Sequence, residues 1–175
     1  DLTVSRLEED KFWILAGAGN GMIDLSWFKE NAPKDGSVKI IDWTSAYAGI
    51  GLWGPNSRKV LESLCEDDDV SNDQFPFFSI KNISISHVPC IAVRISYIGE
   101  LGWEIYTPTE YGLTLWDELR SKSLEYNMIC SGAGAFESLR LEKGYRSLGS
   151  DIHTNTNPYE AGSVSYTHLT LPTTP

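Results

Sequence analysis

The sequence predicts an α+β fold, with mixed or antiparallel sheets flanked by helices. Two observations lead there. Several runs of strand length either alternate polar and apolar residues or stay apolar throughout, among them "LTVSRL", "KFWILAG" and "GWEIYTP". Segments of helical periodicity fall between them at irregular intervals, without the regular strand–helix–strand alternation of a parallel sheet.

Taken in order, "LTVSRL" and "KFWILAG" read as two strands separated by the charged turn "EED". Met22, Leu25 and Phe28 share one face of a short helix that ends near "NAPKDG". "SVKIIDW" and "AYAGIGLWG" read as two further strands. Pro55 is suited to the first position of a helix over "PNSRKVLESL", because its missing N–H has no partner there in any case. Val60, Leu61 and Leu64 form the expected buried stripe, and the acidic run "CEDDDVSND" reads as a solvated loop. "SIKNISIS", "VPCIAVRISY" and "GWEIYTP" follow as strands. Thr109 is the expected N-cap of the helix "EYGLTLWDELRSKSLEY", with Leu113, Trp116 and Leu119 facing inward. A last helix, "GAFESLRLEKG", stops at Gly144.

Composition narrows the function. The 175 residues suffice for one good-sized core or two small lobes. A net charge of −10 argues against nucleic acid, which requires a basic face. It also means that an anionic ligand must be held by local groups against the overall field. No apolar run approaches the roughly 20 residues of a membrane span. Cys65, Cys90 and Cys130 show no CxxC pairing, and His87, His153 and His168 show no metal-binding spacing, so neither disulfides nor a metal is expected. A reducing compartment follows: the cytoplasm, or the mitochondrial matrix in a eukaryote.

"WILAGAGNGMIDLSWF" looks at first like a dinucleotide site. Gly17 and Gly19 supply the first pair of a G-x-G-x-x-G fingerprint, but Met22 stands where the third glycine belongs. The glycines are read instead as serving a tight strand-to-helix turn at positive φ.

The specific runs lie further on. "RISYIGELGWEIYTPTEYG" and "ESLRLEKGYRSLGSDIHTNTNPYEAG" resemble the folate-binding module of the aminomethyltransferase (glycine-cleavage T-protein) family. The nearer likeness is to the C-terminal part of dimethylglycine and sarcosine dehydrogenases and oxidases. "DLTVSRL", "GPNSRKVL" and "DVSNDQFPF" match that branch in the same order, so the resemblance covers residues 1–162. It implies a partial domain lacking an N-terminal part and a C-terminal barrel. The Thr- and Pro-rich tail 163–175 has no periodic face and is expected to be non-native.

The resemblance implies a reaction. FAD in a separate upstream domain of the same polypeptide oxidises an N-methyl amine to a methylene iminium. Tetrahydrofolate then captures the carbon as 5,10-methylenetetrahydrofolate. Glu104 stands where the family places the carboxylate that grips the pterin, whose amino group and ring N–H lie side by side and suit a forked pair. Tyr97 lies beside the folate in the resemblance, its ring free to pack on the pterin. Asp1 matches the acid near the folate nitrogens, expected to accept a proton or steady the iminium's charge.

Glu100 is the rival of Glu104 and is read as structural. Arg140, amid leucines, is expected to pair with Asp151 or Glu160, and Asn157 and Glu160 to position backbone at the site's edge. Phe136 occupies the place where T-proteins carry a substrate-contacting arginine, which favours the dehydrogenase branch. Two alternatives stay open: a glycine-cleavage T-protein, or a non-catalytic structural relative. An iron–sulphur repair relative would need Lys-Gly-Cys, whereas Lys143-Gly144 precedes Tyr145.

Overall fold

Alternation along the strands determines which side chains turn inward, and the computed structural model, which describes residues 2–17 and 19–162, follows it closely. The chain divides into two compact units. The first comprises Asp1–Ser96 and Glu100–Cys130, and the second comprises Tyr97–Gly99 and the residues from Ser131 onward.

In the first unit, β1 (Leu2–Glu8) and β2 (Lys11–Ala16) form an antiparallel hairpin of their own, with a register irregularity between Arg6 and Glu8. Helix α1 (Gly21–Asn31) follows. A four-stranded antiparallel sheet, in the order β3-β6-β5-β4, is built from β3 (Tyr47–Trp53), β4 (Ile80–Ile85), β5 (Val88–Val93) and β6 (Gly102–Pro108). One face of this sheet packs with α2 (Ser57–Glu62) and α3 (Gly112–Glu125) around the core. Val60, Leu61, Phe75, Trp103, Ile105 and Leu115 are fully buried there. Cys65 and Cys90 are core residues too, and burial pushes their thiols up to about 12 and about 11, so both stay protonated. All three cysteines are free.

Five local expectations are corrected. "SVKIIDW" is not a strand. Asp35 accepts the Ser37 N–H and Asp42 the Thr44 N–H, each at 2.9 Å, so local turns take the place of a ladder. Pro55 lies in a turn before α2, because the Ser57 N–H and hydroxyl both bond back to the Gly54 carbonyl. Thr109 caps no helix; its hydroxyl donates to the Ser45 carbonyl at 2.8 Å, and α3 starts after a 3₁₀ turn. Helix α3 buries Leu115, Leu119 and Ser123, an i, i+4, i+8 row, while Leu113 and Trp116 face outward. On α1, Leu25 and Phe28 are half-buried but Met22 is exposed.

The acidic segment is more than solvated loop. Val70 is buried, and two guanidinium groups hold the loop's backbone and Asn72. Arg58 donates to the Val70 carbonyl, Arg94 donates to the Phe75 carbonyl, and both donate to Asn72 Oδ1 at 2.7 Å. The same two cations lie over Trp103, at 5.1 and 5.7 Å from its ring centroid.

The second unit is built on α4 (Ala133–Lys143), which ends at Gly144 in the left-handed region at φ 81°. The four-residue α5 (Pro158–Ala161) follows. Among the described residues no helix is long and apolar enough to cross a membrane.

The two faces of α3 are separable by stability. Leu115→Ala removes a fully buried side chain and is expected to cost about 2–5 kcal/mol. Leu113→Ala should stay within about 0.5 kcal/mol. Urea unfolding midpoints measure both, and equal effects would contradict the buried row described here.

Candidate functional site

Strand β6 sorts its residues by parity. Trp103, Ile105 and Thr107 point into the core, which leaves Glu104 and Tyr106 on the opposite face. Register then chooses their neighbours. Glu104 lies opposite Gly51 on β3 and Val93 on β5, and Tyr106 lies opposite Gly49 and Ile91.

The glycines matter because rings occupy the space their side chains would take. A Cβ at Gly49 would come within 2.8 Å of the Tyr106 ring, and a Cβ at Gly51 or Gly102 would run into Trp53. Two aromatic rings therefore lie down on the sheet, with the Glu104 position between them along β6. Trp53 is pinned by its indole N–H, which donates to the Ile95 carbonyl at 3.2 Å. Tyr106 is backed by Trp13 of β2 at 5.1 Å, and Trp13 in turn meets Tyr47 at 5.2 Å. Tyr47 stacks with Trp43 at 5.7 Å.

The Tyr106 hydroxyl donates to Glu104 Oε2 at 2.6 Å. Burial, with the neighbouring Glu104 charge, pushes the Tyr106 hydroxyl far above its ordinary value, so it remains an O–H donor. One carboxylate oxygen is thus engaged, and the other retains its acceptor capacity. A carboxylate held between flat rings suits a planar heterocycle with two adjacent N–H donors.

In the second unit, Tyr97 stacks on Phe136 at 5.5 Å and on Tyr145 at 5.9 Å, and its hydroxyl donates to the Arg146 carbonyl. Arg140, 1% exposed, is held by Glu137 and Asp151 and donates to the Tyr145 carbonyl at 2.9 Å. Glu160 is not its partner. Instead the Asn157 N–H donates to the Glu160 carboxylate and the Glu160 N–H to Asn157 Oδ1, both at 3.0 Å. This reciprocal box caps α5. Asp1 lies outside the described residues. Glu100 is exposed.

Tyr106, Trp53, Gly49 and Gly51 were not singled out from the sequence. The signal was present in the i, i+2 spacing of "EIY" and in "GIGLW" across the sheet. The glycine turn after β2 also differs from expectation, since neither Gly17 nor Gly21 takes a positive φ. Strand β2 pairs antiparallel with β1, so the parallel unit of a dinucleotide site is not formed there. Among the described residues no His, Cys, Asp and Glu side chains gather to hold a metal ion.

The antiparallel sheets flanked by helices define an α+β domain, one sheet face of which carries Glu104 between two aromatic rings. The chain belongs to the family described as the GCVT N-terminal domain, whose model matches residues 1–169. Human dimethylglycine dehydrogenase, described as mitochondrial, is 38% identical over 173 residues, covering 98% of this chain and 20% of that protein. An aminomethyltransferase of Halothermothrix orenii is 33% identical over 162 residues, covering 93% of this chain and 44% of that enzyme. The chain therefore spans a fifth of the first relative and under half of the second. A heterotetrameric sarcosine oxidase from Corynebacterium sp. U-96, solved in complex with pyrrole 2-carboxylate, shares the fold. Its TM-score is 0.60 at 18% identity, over 75% of this chain and 64% of that one.

The Arg140 cluster makes the second unit sensitive to acid. Glu137 is held below its ordinary range first by the Arg140 hydrogen bond, and Asp151 first by the Ser147 N–H and then by Arg140. Carboxyls depressed in the folded state contribute stability that is complete above their unfolded values and lost as pH falls through the folded ones. Protection of the α4 amides against hydrogen exchange, corrected for intrinsic rates, should therefore fall below about pH 4. Asp151→Asn should lower protection at neutral pH and flatten that acid dependence. An unchanged acid slope in the variant would contradict the assignment.

Proposed function

We propose that this chain is the tetrahydrofolate-binding, one-carbon transfer module of an FAD-dependent dimethylglycine or sarcosine dehydrogenase-type enzyme. Flavin in a separate domain of the longer protein supplies the amine oxidation, and tetrahydrofolate accepts the resulting one-carbon unit. The observation that carries the reading is Glu104, a carboxylate standing between Trp53 and Tyr106 on a face cleared by glycines. Family membership and the likeness to dimethylglycine dehydrogenase support it.

In this reading Glu104 accepts the paired donors of the pterin, and the flanking rings exclude water from that edge, which strengthens a charge-assisted pair. The Tyr97 hydroxyl is already bonded to the Arg146 carbonyl within the second unit, so a part for Tyr97 in folate binding falls to its ring. Asp1 accepts a proton from the attacking nitrogen or steadies the iminium's charge. Arg140, Asp151, Asn157 and Glu160 hold the loops of the second unit in shape. An apolar Phe136 against Tyr97 favours this branch over a glycine-cleavage aminomethyltransferase, which would present an arginine there.

Tryptophan fluorescence tests the proposal, because Trp53 and Trp13 flank the carboxylate face. Titration of the chain with tetrahydrofolate, kept reduced and anaerobic, should give saturable quenching. Glu104→Gln removes the charge from a charge-assisted hydrogen bond of about 1.5–3 kcal/mol and should weaken binding roughly 10- to 100-fold. Quenching that does not saturate, or a variant that binds as tightly as the parent chain, would count against the reading.

A further inference from the structure

We propose that Tyr106 is a positioning residue, one that fixes the Glu104 carboxylate so that its free oxygen meets the ligand in a single orientation. The inference rests on the tetrahydrofolate reading of this face and extends it to the Tyr106 hydroxyl, to which that reading gives no role.

The geometry forms a short chain of constraint. A glutamate on a sheet face has several rotatable side-chain bonds, and ordering it costs conformational entropy. Among the described residues, the hydrogen bond that restrains Glu104 comes from the Tyr106 hydroxyl at 2.6 Å on Oε2. The two residues are i and i+2 on β6, so the bond runs along one face of the sheet.

A donor restrains its acceptor only if it is itself fixed, and Tyr106 is fixed twice. Its ring lies over Gly49, where a Cβ would come within 2.8 Å, and it abuts Trp13 at 5.1 Å. Trp13 rests in turn against Tyr47. Rigidity thus passes from the hairpin strand β2, through Trp13, to the Tyr106 ring, and from its hydroxyl to the carboxylate. With Oε2 engaged, a forked ligand is met by Oε1 and the remaining lone pair of Oε2, which fixes both tilt and approach. Burial keeps the hydroxyl protonated and donating.

Tyr106→Phe keeps the ring and deletes the bond, so it separates positioning from packing. The full chain is titrated with tetrahydrofolate by tryptophan fluorescence as Tyr106→Phe, as Glu104→Gln and as the double variant. Tyr106→Phe should weaken binding about fivefold, the equivalent of one net hydrogen bond of ~1 kcal/mol. On the Glu104→Gln background its further effect should be under about twofold, because coupled residues are non-additive. An equal loss on both backgrounds, or a Tyr106→Phe affinity within about twofold of the parent, would overturn the proposal.

A ligand-free measurement distinguishes this failure from failure of the folate reading. Carbon-13 relaxation at the Glu104 carboxyl should report a loss of side-chain order in Tyr106→Phe, and a smaller loss in Gly49→Ala, which displaces the ring but keeps the hydroxyl. Unchanged order in both variants overturns positioning even if tetrahydrofolate binds. A loss of order with no saturable binding in the parent chain leaves positioning standing and overturns the choice of ligand.

Discussion

The register of β6 between β3 and β5 governs the carboxylate face. Because side chains alternate across a strand, sliding β6 by one residue would exchange its two faces. Trp103, Ile105 and Thr107 would be turned out, and Glu104 would be driven into a core of Val60, Leu61, Phe75 and Leu115. A buried carboxylate without a partner costs several kcal/mol, and the expelled tryptophan forfeits a further few kcal/mol of burial. Core packing therefore sets on which face of the sheet Glu104 stands.

Glycine does related work on the neighbouring strand. Gly49 and Gly51 weaken β3 as a strand, since each adds backbone entropy and no packing. In return they let Tyr106 and Trp53 lie against the sheet instead of standing off it. The result is a flat, aromatic surface with one charge in it. That surface suits the donor edge of a reduced pterin, and in a chain of net charge −10 it does not attract an anionic tail.

How much could be read from the sequence depended on whether the deciding interaction was local. The strands were legible where parity was strong, as in "GWEIYTP", and the end of α4 was legible because Gly144 takes the left-handed conformation only glycine adopts readily. On helix α3 periodicity pointed to Leu113, Trp116 and Leu119, whereas packing in the folded chain buries the row through Leu115, Leu119 and Ser123. "SVKIIDW" had strand composition but was claimed by Asp35 and Asp42 turns. Glu104 was singled out through resemblance, whereas Tyr106 was not, because a strand tyrosine acquires meaning only once Gly49 and Trp13 are seen around it. Of the two partners expected for Arg140, Asp151 pairs with it and Glu160 bonds to Asn157 instead, while the other carboxylate on Arg140, Glu137, sits one turn earlier on its own helix.

The central claim is that Glu104 is the group that grips the ligand. A crystal structure of the chain with 5-formyltetrahydrofolate, a stable reduced folate, tests it most directly. The account predicts the pterin amino group and ring N–H at about 2.7–3.0 Å from the Glu104 oxygens, with the Tyr106 hydroxyl bond intact. A pterin seated away from that face, with Glu104 still bonded to Tyr106 alone, would contradict it.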